Sequence, residues 1–212
     1  TLVKVLLNLV RAQSGKVMVA GEDIRSVPVS TLARKIGYVG QNPDMQIFTA
    51  SVGEEVAFAL RTLGMDESEI DRQVKLELEE VGLWDVIGRH PFSLPKGDRA
   101  KVVIAAVLAL RPEAIIFDEP TIGQDYAGAK KILDLTKKLH QSGKTVMVIT
   151  HHLYLMREYA QRMVVLKDGA VAMDGSLRDV LAAGESLGRF GLEPPEAVLL
   201  AESVRREGQS CP

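Results

Sequence analysis

Four apolar residues lead into two adjacent carboxylates in the stretch Ala114-Ile115-Ile116-Phe117-Asp118-Glu119-Pro120, which continues as Thr121-Ile122-Gly123-Gln124-Asp125. A short apolar run of this kind predicts a buried strand. If the strand belongs to a parallel sheet, its two acids lie at the edge where open α/β sheets bind ligands. One carboxylate there can hold Mg²⁺ through water, and the next can polarise a water that attacks a phosphate. The alternative is a strand that runs into a solvated acidic turn before Pro120.

Three further segments favour the phosphate site over the plain acidic turn. They are, in chain order, Tyr38-Val39-Gly40-Gln41-Asn42-Pro43, Leu94-Pro95-Lys96-Gly97-Asp98-Arg99 and Val146-Met147-Val148-Ile149-Thr150-His151-His152. Together with the acidic strand, this order resembles the nucleotide-binding domain of ABC transporters. That family has a glutamine loop, a signature segment, a Walker B strand, a D-loop and a switch histidine in the same succession.

The amino-acid sequences of some segments are most similar to the energy-coupling-factor (ECF) type of ABC ATPase, which drives import of vitamins and of cobalt or nickel. The segments concerned are Gln41 to Phe48, Val52 to Phe58, and the tail Gly191-Leu192-Glu193-Pro194-Pro195. The resemblance extends over essentially the whole chain. It therefore implies ATP and Mg²⁺ as cofactors and ATP hydrolysis as the reaction.

The resemblance also implies a role for each motif residue. Asp118 would hold Mg²⁺ through water, and Glu119 would act as general base or orient the attacking water. Gln41 would contact the metal and link the site to a membrane subunit, and His151 would sense the γ-phosphate. The D-loop residue Asp125, after Gly123 and Gln124, would bridge to a second subunit. Without the other motifs, the preferred interpretation of Gln41 is a turn residue before Asn42-Pro43. The sequence has no ligand cluster typical of a transition metal.

The signature segment departs from the family pattern. The usual Leu-Ser-Gly-Gly-Gln corresponds to Leu94-Pro95-Lys96-Gly97-Asp98, and its serine would donate to the γ-phosphate of ATP held by the other subunit. Pro95 has neither a hydroxyl nor an N–H to donate, while Lys96 could supply a positive charge instead. Asp98 either opposes that phosphate or caps the helix that follows. This segment supports ATP binding in trans less firmly than the family pattern does.

A P-loop, G-x-x-x-x-G-K-[ST], does not occur in the 212 residues. Such a loop cradles phosphates with backbone N–H groups and a lysine. The pair in Ser14-Gly15-Lys16 is followed by valine, has no glycine five residues before Gly15 and predicts the turn of a β-hairpin. Because the family's P-loop runs into a helix that begins Thr-Leu, the start Thr1-Leu2 leads us to expect that the chain begins after a P-loop of its parent protein. A protein that naturally lacks the loop is the alternative.

Composition is that of a globular protein that can bury a sizeable core, with 46% hydrophobic and 25% charged residues. A formal net charge of −2 argues against a broad basic surface for nucleic acid. The single cysteine, Cys211, excludes an intrachain disulfide and fits a reducing compartment. Since no apolar run approaches the roughly 20 residues that span a bilayer, a membrane role would come through partners.

The predicted fold is α/β: a parallel-sheet core of the P-loop NTPase type with an inserted helical subdomain, lacking the first strands and the P-loop. Strands are predicted at 36–39, 114–118 and 145–149, and helices at 2–11, 31–35, 99–110 and about 127–141. One hairpin is predicted from Lys16 to Val19 with the turn Gly21-Glu22-Asp23, and another at 163–173. A helical block at 50–92 is broken at Gly64 and Gly82, with a capped start at Asp66. The predicted segments are a partial core (1–49), the helical subdomain with the signature (50–98), the core with Walker B, D-loop and histidine (99–175), and a C-terminal tail (176–212).

The sequence thus predicts an ATP-hydrolysing subunit of an ECF-type importer on the cytoplasmic face of the membrane. Its expected partners are a second ABC ATPase, identical or a paralogue, a transmembrane coupling subunit and a substrate-binding membrane subunit. We expect the helical block at 50–92 to dock the membrane subunit, with Phe48, Val52 and Phe58 as candidate contacts; local core packing is the alternative for Phe58. Charge reversal at Glu54 and Glu55 should release that partner and leave the fold intact. The alternative function is a non-catalytic ABC-like subunit that pairs with an active paralogue, and an ABC ATPase of DNA repair or translation is a more distant one.

Overall fold

The computed structural model describes residues 1–192, except the side chains of Glu185 and Ser186. These residues fall into two compact units, the first from Thr1 to Ile149 and the second beginning at Thr150. No helix among the described residues is long and apolar enough to cross a bilayer. The division into four predicted segments stays a prediction, and the part of the Gly191–Pro195 tail after Leu192 lies outside the described residues.

A three-stranded parallel sheet forms the centre of the first unit, as the sequence predicted. Its strands are β3 (Ile36–Val39), β4 (Ala114–Asp118) and β5 (Thr145–Ile149), with β4 in the middle. Ile36 pairs with Ala114, and Ala114 pairs with Thr145, so the three strands end at one edge. Because each strand is a short apolar run, both faces of the sheet can be covered.

Helices pack on both faces of β4. Ile115 and Phe117 join a large core with α3 (Val52–Thr62), α4 (Glu67–Glu80) and α5 (Lys96–Ala109). Ile116, which points to the other face, packs with Val3 and Leu7 at α1 (Leu2–Leu6). Helix α6 (Tyr126–Gln141) contributes Ile132 and Leu139 to the large core. This alternation along β4 fixes the acids that follow it at the sheet edge.

The first helix is shorter than predicted. The sequence predicted helix over 2–11, but α1 ends at Leu6. Asn8 adopts a left-handed backbone with φ of 55°. Its side-chain amide donates to the carbonyls of Ile24 and Val27, at 3.0 and 3.1 Å. These tertiary hydrogen bonds outweigh the apolar periodicity that suggested a longer helix.

The predicted N-terminal hairpin is confirmed, and its turn begins one residue before the predicted Gly21-Glu22-Asp23. Strands β1 (Met18–Val19) and β2 (Glu22–Asp23) pair antiparallel around Ala20 and Gly21, whose φ values are 49° and 81°. Two residues with positive φ match the tight turns that fit a hairpin's twist. The prediction that Ser14-Gly15-Lys16 forms the turn is wrong, because that segment is a bend before β1. Helix α2 (Val29–Lys35) then leads directly into β3.

The helical block is confirmed, and its breaks are at the predicted glycines. Gly64 and Gly82 have φ of 72° and 71°, a conformation that glycine adopts without steric cost. Short 3₁₀ turns at Trp84–Val86 and Pro91–Ser93 complete the block. Asp66 occupies the N-cap position of α4 but makes no side-chain capping bond there, so the predicted cap is only positional.

Helix α5 begins three residues earlier than predicted. Pro95 is its N-cap residue, so Lys96, Gly97 and Asp98 form its first turn. The expectation that Asp98 caps this helix is therefore wrong. Its carboxylate instead pairs with Lys101 at 2.7 Å, one turn further along.

The second unit contains the predicted C-terminal hairpin. Strands β6 (Arg162–Lys167) and β7 (Ala170–Ser176) pair antiparallel around Asp168 and Gly169, with a bulge at Val165 and Leu166. Two short helices, α7 (Leu153–Met156) and α8 (Leu177–Leu181), and a 3₁₀ segment at Gly184–Phe190 surround it. Leu153, Val165, Val180 and Leu187 form its small core.

Candidate functional site

Residues predicted to hold a metal and activate water lie at one edge of the sheet. Val39 at the end of β3 pairs with Phe117, and Asp118 ends β4. Gly40 and Gln41 follow β3, and Glu119 follows β4, so these polar groups leave neighbouring strands at the same edge. This is the edge at which open α/β sheets bind ligands. Gln41, Asp118 and Glu119 therefore lie at the same edge of the sheet, and their roles in the chemistry stay predictions.

Glu119 has a backbone that few residues other than glycine adopt. Its φ is 49°, and its N–H donates to the carbonyl of Ile149 at 2.8 Å. Its side chain is half-buried, and the Oε2 atom is inaccessible to solvent. Because such a backbone costs free energy, its presence at a carboxylate on a ligand-binding edge favours a functional reason for it.

The Asp118 carboxylate accepts a hydrogen bond from a tyrosine that the sequence did not point to. The hydroxyl of Tyr38, on β3, donates to Oδ2 of Asp118 at 3.0 Å. Partial burial and this carboxylate raise the pKa of Tyr38 to about 12. The phenol is thus protonated, and able to donate, over the whole physiological range.

The beginning of the predicted glutamine loop is clamped by a second glutamine. Oε1 of Gln46 accepts from the N–H of Gly40 at 2.6 Å, and its Nε2 donates to the carbonyl of Tyr38 at 3.2 Å. A Cβ on Gly40 would lie 2.9 Å from Oε1 of Gln46, so glycine permits this approach. The clamp fixes the main chain directly before Gln41, whose own side chain is exposed.

An ion pair connects the glutamine-loop turn to the signature helix. Nε and Nη2 of Arg99 donate to the two carboxylate oxygens of Asp44 at 2.6 and 3.1 Å. A third donor of the same guanidinium, Nη1, binds the carbonyl of Leu94 at 2.8 Å. The two side chains are 18% and 34% exposed, so this bidentate pair is largely shielded from water. This pair therefore joins the glutamine-loop turn to the first turn of α5.

The signature segment packs against the D-loop of the same chain. A Cβ on Gly97 would lie 2.8 Å from Oε1 of Gln124, and a Cβ on Gly123 would lie 2.8 Å from Nζ of Lys96. Lys96 and Gln124 also line a narrow cleft with Gln41 and Pro120, whose cavity volume is about 10 Å³. The cleft has room for about one water molecule, so it is a junction of three loops and not a nucleotide pocket.

Asp125 has a clear structural task. Its Oδ1 accepts from the N–H of Gly128 at 2.7 Å and so caps α6. The bridge from Asp125 to a second subunit stays a prediction beside this capping role.

The predicted switch histidine lies at the start of the second unit. His151 follows β5 by two residues and is exposed. Strand β5 ends at Ile149, and the imidazole rings of His151 and His152 lie 4.1 Å apart. The role of His151 as a phosphate sensor stays a prediction.

An exposed apolar patch surrounds the glutamine loop. It consists of Met45, Phe48 and Phe58, which are 83%, 64% and 48% exposed, and the two phenyl rings meet edge to face at 4.7 Å. Val52, which we had grouped with them, is fully buried and belongs to the core. We refer to Met45, Phe48 and Phe58 as the loop patch.

Glu55 is not a surface residue, contrary to our expectation. It is 5% exposed, and Oε2 accepts hydrogen bonds from the N–H groups of Phe48 and Thr49 and from the Thr49 hydroxyl. Charge reversal there would break the loop that carries the patch. Glu54, by contrast, is exposed and suits the test.

Some of the residues that support the site could have been predicted from local sequence patterns, and others could not. Val52, Glu55 and Val56 share the i, i+3, i+4 spacing of one helix face, a signal from which the burial of Glu55 could have been predicted. Tyr38 and Asp118 are 80 residues apart, and Asp44 and Arg99 are 55 apart, so no local pattern joins them.

The donor set fits Mg²⁺. Hard cations prefer carboxylate and carbonyl oxygens, and Asp118 and Gln41 offer both at the same sheet edge. Asp118 is half-buried and retains an oxygen, Oδ1, that does not take part in the Tyr38 hydrogen bond.

Comparisons with known proteins agree with this geometry. The family profile described as ABC transporter matches residues 1–122. An energy-coupling factor transporter ATP-binding protein, EcfA2, of Symbiobacterium thermophilum is 36% identical over all of this chain and 75% of its own length. A Methanosarcina acetivorans protein, provisionally named an ABC transporter ATP-binding protein, is 42% identical, but the chain spans only 34% of it.

Solved structures give the same result. The cbiO1 protein of Clostridium perfringens, described as part of the ABC transporter complex cbiONQ, superposes with a TM-score of 0.80 at 29% identity. The alignment covers 95% of this chain and 81% of that protein. The chain spans about a third of the length of the first curated relatives it matches, at 34%, 36% and 36%.

Proposed function

Because the chain belongs to the ABC transporter ATP-binding family, we propose that it carries the hydrolytic edge of an ATPase that powers an ECF-type importer. The observation that carries this proposal is the joint position of Gln41, Asp118 and Glu119 at the carboxyl edge of the parallel sheet. The likeness to an energy-coupling factor ATP-binding protein and to cbiO1 supports the ECF type. The imported solute would be selected by a membrane partner.

Each candidate site residue has its own proposed role in ATP hydrolysis. Asp118 and Gln41 would hold Mg²⁺, which neutralises charge on the phosphates when it is bound. Glu119 would accept the proton of the attacking water or orient that water, and its N–H is held by the carbonyl of Ile149 at the sheet edge. His151 would donate to the γ-phosphate. ATP would become ADP and phosphate.

The partners follow from the same assignment. A second ABC ATPase, identical or a paralogue, would face the signature segment, and a transmembrane coupling subunit and a substrate-binding membrane subunit would complete the importer. The protein would then act at the cytoplasmic face of the membrane, without nucleic acid.

The loop patch is the proposed docking surface for the membrane subunit. Its apolar side chains are exposed, and the loop beneath them is fixed by Glu55. Glu54→Lys should release a co-purifying membrane partner, because the exposed charge of Glu54 lies on the same helix as Phe58. Glu79→Lys is the matched control, since Glu79 is similarly exposed and similarly paired on α4. Equal retention of the partner by both variants would exclude this surface.

The altered signature predicts two unequal ATP sites. Pro95 removes a hydroxyl donor, and Lys96 lies against its own D-loop glycine rather than extending freely. The site completed by this signature should therefore be slower than a site completed by a paralogue with an intact serine. Substituting the base glutamate in each subunit separately tests this, and equal losses of turnover would contradict unequal sites.

A non-catalytic subunit is the second candidate, favoured by Pro95 at the N-cap of α5. One experiment separates the two. In the gene's full-length product, Glu119→Gln should lower ATP turnover by at least about 10²-fold if Glu119 is the base. Glu113→Gln, an exposed glutamate just before the same strand, is the control and should hydrolyse ATP normally. Absence of hydrolysis by the wild-type complex, or equal turnover in both variants, would favour the non-catalytic role.

A further inference from the structure

The hydroxyl of Tyr38 is well placed to orient the Asp118 carboxylate. Tyr38 pairs with Ile116 across the sheet, and Asp118 lies two residues further along β4. Because side chains two residues apart on a strand share a face, the phenol reaches diagonally to that carboxylate. The hydrogen bond to Oδ2 is 3.0 Å long. Tyr38 is the only group of residues 1–192 that donates to this carboxylate.

The position of the tyrosine ring is itself determined on several sides. It packs with Ile36 and Ile116 in the core near α1. A Cβ on Gly40 would lie 3.3 Å from its Cε1 and 3.4 Å from its hydroxyl, so the ring passes close beside that glycine. Gln46 holds the Tyr38 carbonyl at 3.2 Å. These contacts of the ring and main chain of Tyr38 determine where its hydroxyl lies beside Asp118.

We propose that Tyr38 is a positioning residue for the metal-binding carboxylate of Asp118. This inference rests on the proposed function. A donor on Oδ2 holds the carboxylate in one rotamer and leaves Oδ1 to accept from a water of the bound metal. The rotational freedom of Asp118 is then lost on folding and not on metal binding, which strengthens binding. Partners of this kind outside the direct ligand set commonly tune metal sites.

The raised pKa of Tyr38, about 12, is consistent with this role because the phenol remains a donor at every pH at which the protein works.

The test uses Tyr38→Phe in the gene's full-length product, with Mn²⁺ as the probe. Electron paramagnetic resonance would measure Mn²⁺ affinity in the presence of a non-hydrolysable ATP analogue. We expect about a tenfold weaker affinity in Tyr38→Phe, with nucleotide affinity in the absence of metal unchanged. Tyr154→Phe is the control, because Tyr154 is exposed in the second unit. This variant should bind Mn²⁺ with the affinity of the wild type.

A second measurement needs neither metal nor nucleotide. In protein labelled with ¹³Cζ-tyrosine, the Tyr38 resonance, assigned from Tyr38→Phe, should shift in Asp118→Ala while the other three tyrosines stay in place. An unchanged Tyr38 resonance would overturn the hydrogen bond. Wild-type Mn²⁺ affinity in Tyr38→Phe would overturn the inference and leave the proposed function standing. Absence of nucleotide-dependent Mn²⁺ binding in the wild type would overturn the proposed function and this inference with it.

Discussion

Removing the Arg99–Asp44 pair should show how firmly the glutamine-loop turn is attached to the signature helix. The guanidinium makes two charged hydrogen bonds to Asp44 and one to the carbonyl of Leu94. Hydrogen bonds to charged groups contribute about 1.5–3 kcal/mol, whereas exposed ion pairs contribute about 0.2–1 kcal/mol. Since the two side chains are only 18% and 34% exposed, we expect a coupling energy of about 2 kcal/mol, which lies in the range for hydrogen bonds to charged groups and above the range for exposed ion pairs.

A double-mutant cycle of Arg99→Ala and Asp44→Ala isolates this term. The lost bond to Leu94 and the contact of Arg99 with Phe92 are common to both arms of the cycle and cancel. Unfolding in urea would be followed by the fluorescence of Trp84, the only tryptophan, which lies in the first unit.

The matched control is the pair Arg61–Glu67, in the same unit. It is also bidentate, at 2.8 and 3.2 Å, but its side chains are 45% and 63% exposed. We expect its coupling energy to stay below about 1 kcal/mol. If both cycles give the same small value, shielding from water does not strengthen the Arg99–Asp44 pair, and the mechanical link that we infer from it is refuted.

Two further predictions concern stability. Gly37→Ala should lower the free energy of unfolding by about 1–3 kcal/mol through overpacking, because the new Cβ would overlap Cγ1 of Val107. Adding Val107→Ala should recover part of the loss in urea titrations, and no recovery would disprove this cause. Burial raises the pKa of Glu77, so its favourable contribution is present below the ordinary value of 4.5 and is lost as pH rises through the folded-state pKa. Glu77→Gln, whose amide oxygen can still accept from Gln73, should therefore raise the melting temperature at pH 7 and lose that advantage near pH 4. The exposed Glu79→Gln is its control, and a gain that does not depend on pH would contradict the assignment to burial.

Most of the sheet and helices could be predicted because their signals are local. Strands β3, β4 and β5 are apolar runs bounded by polar turns, and Gly64 and Gly82 interrupt the helical block at positions of positive φ. The first helix was overestimated because its end depends on hydrogen bonds from Asn8 to residues 16 and 19 positions later.

The site could be predicted only in part. The motif residues at the sheet edge carry recognisable residue types in a recognisable order. The groups that hold them, Tyr38, Gln46 and Arg99, are ordinary in sequence and gain their meaning from tertiary contacts. Glu55 is the exception, because its helical spacing pointed to the core although its charge suggested the surface.

The identity of the nucleotide retained by Glu119→Gln tests the central claim most directly. The gene's full-length product with this substitution would be assembled with its partners, incubated with ATP and Mg²⁺, separated from free nucleotide and quenched in acid. If Glu119 accepts the proton of the attacking water, the bound nucleotide should be ATP in the variant and mainly ADP in the wild type. Bound ADP in the variant, formed at the wild-type rate, would contradict the assignment of Glu119 as the base at this sheet edge.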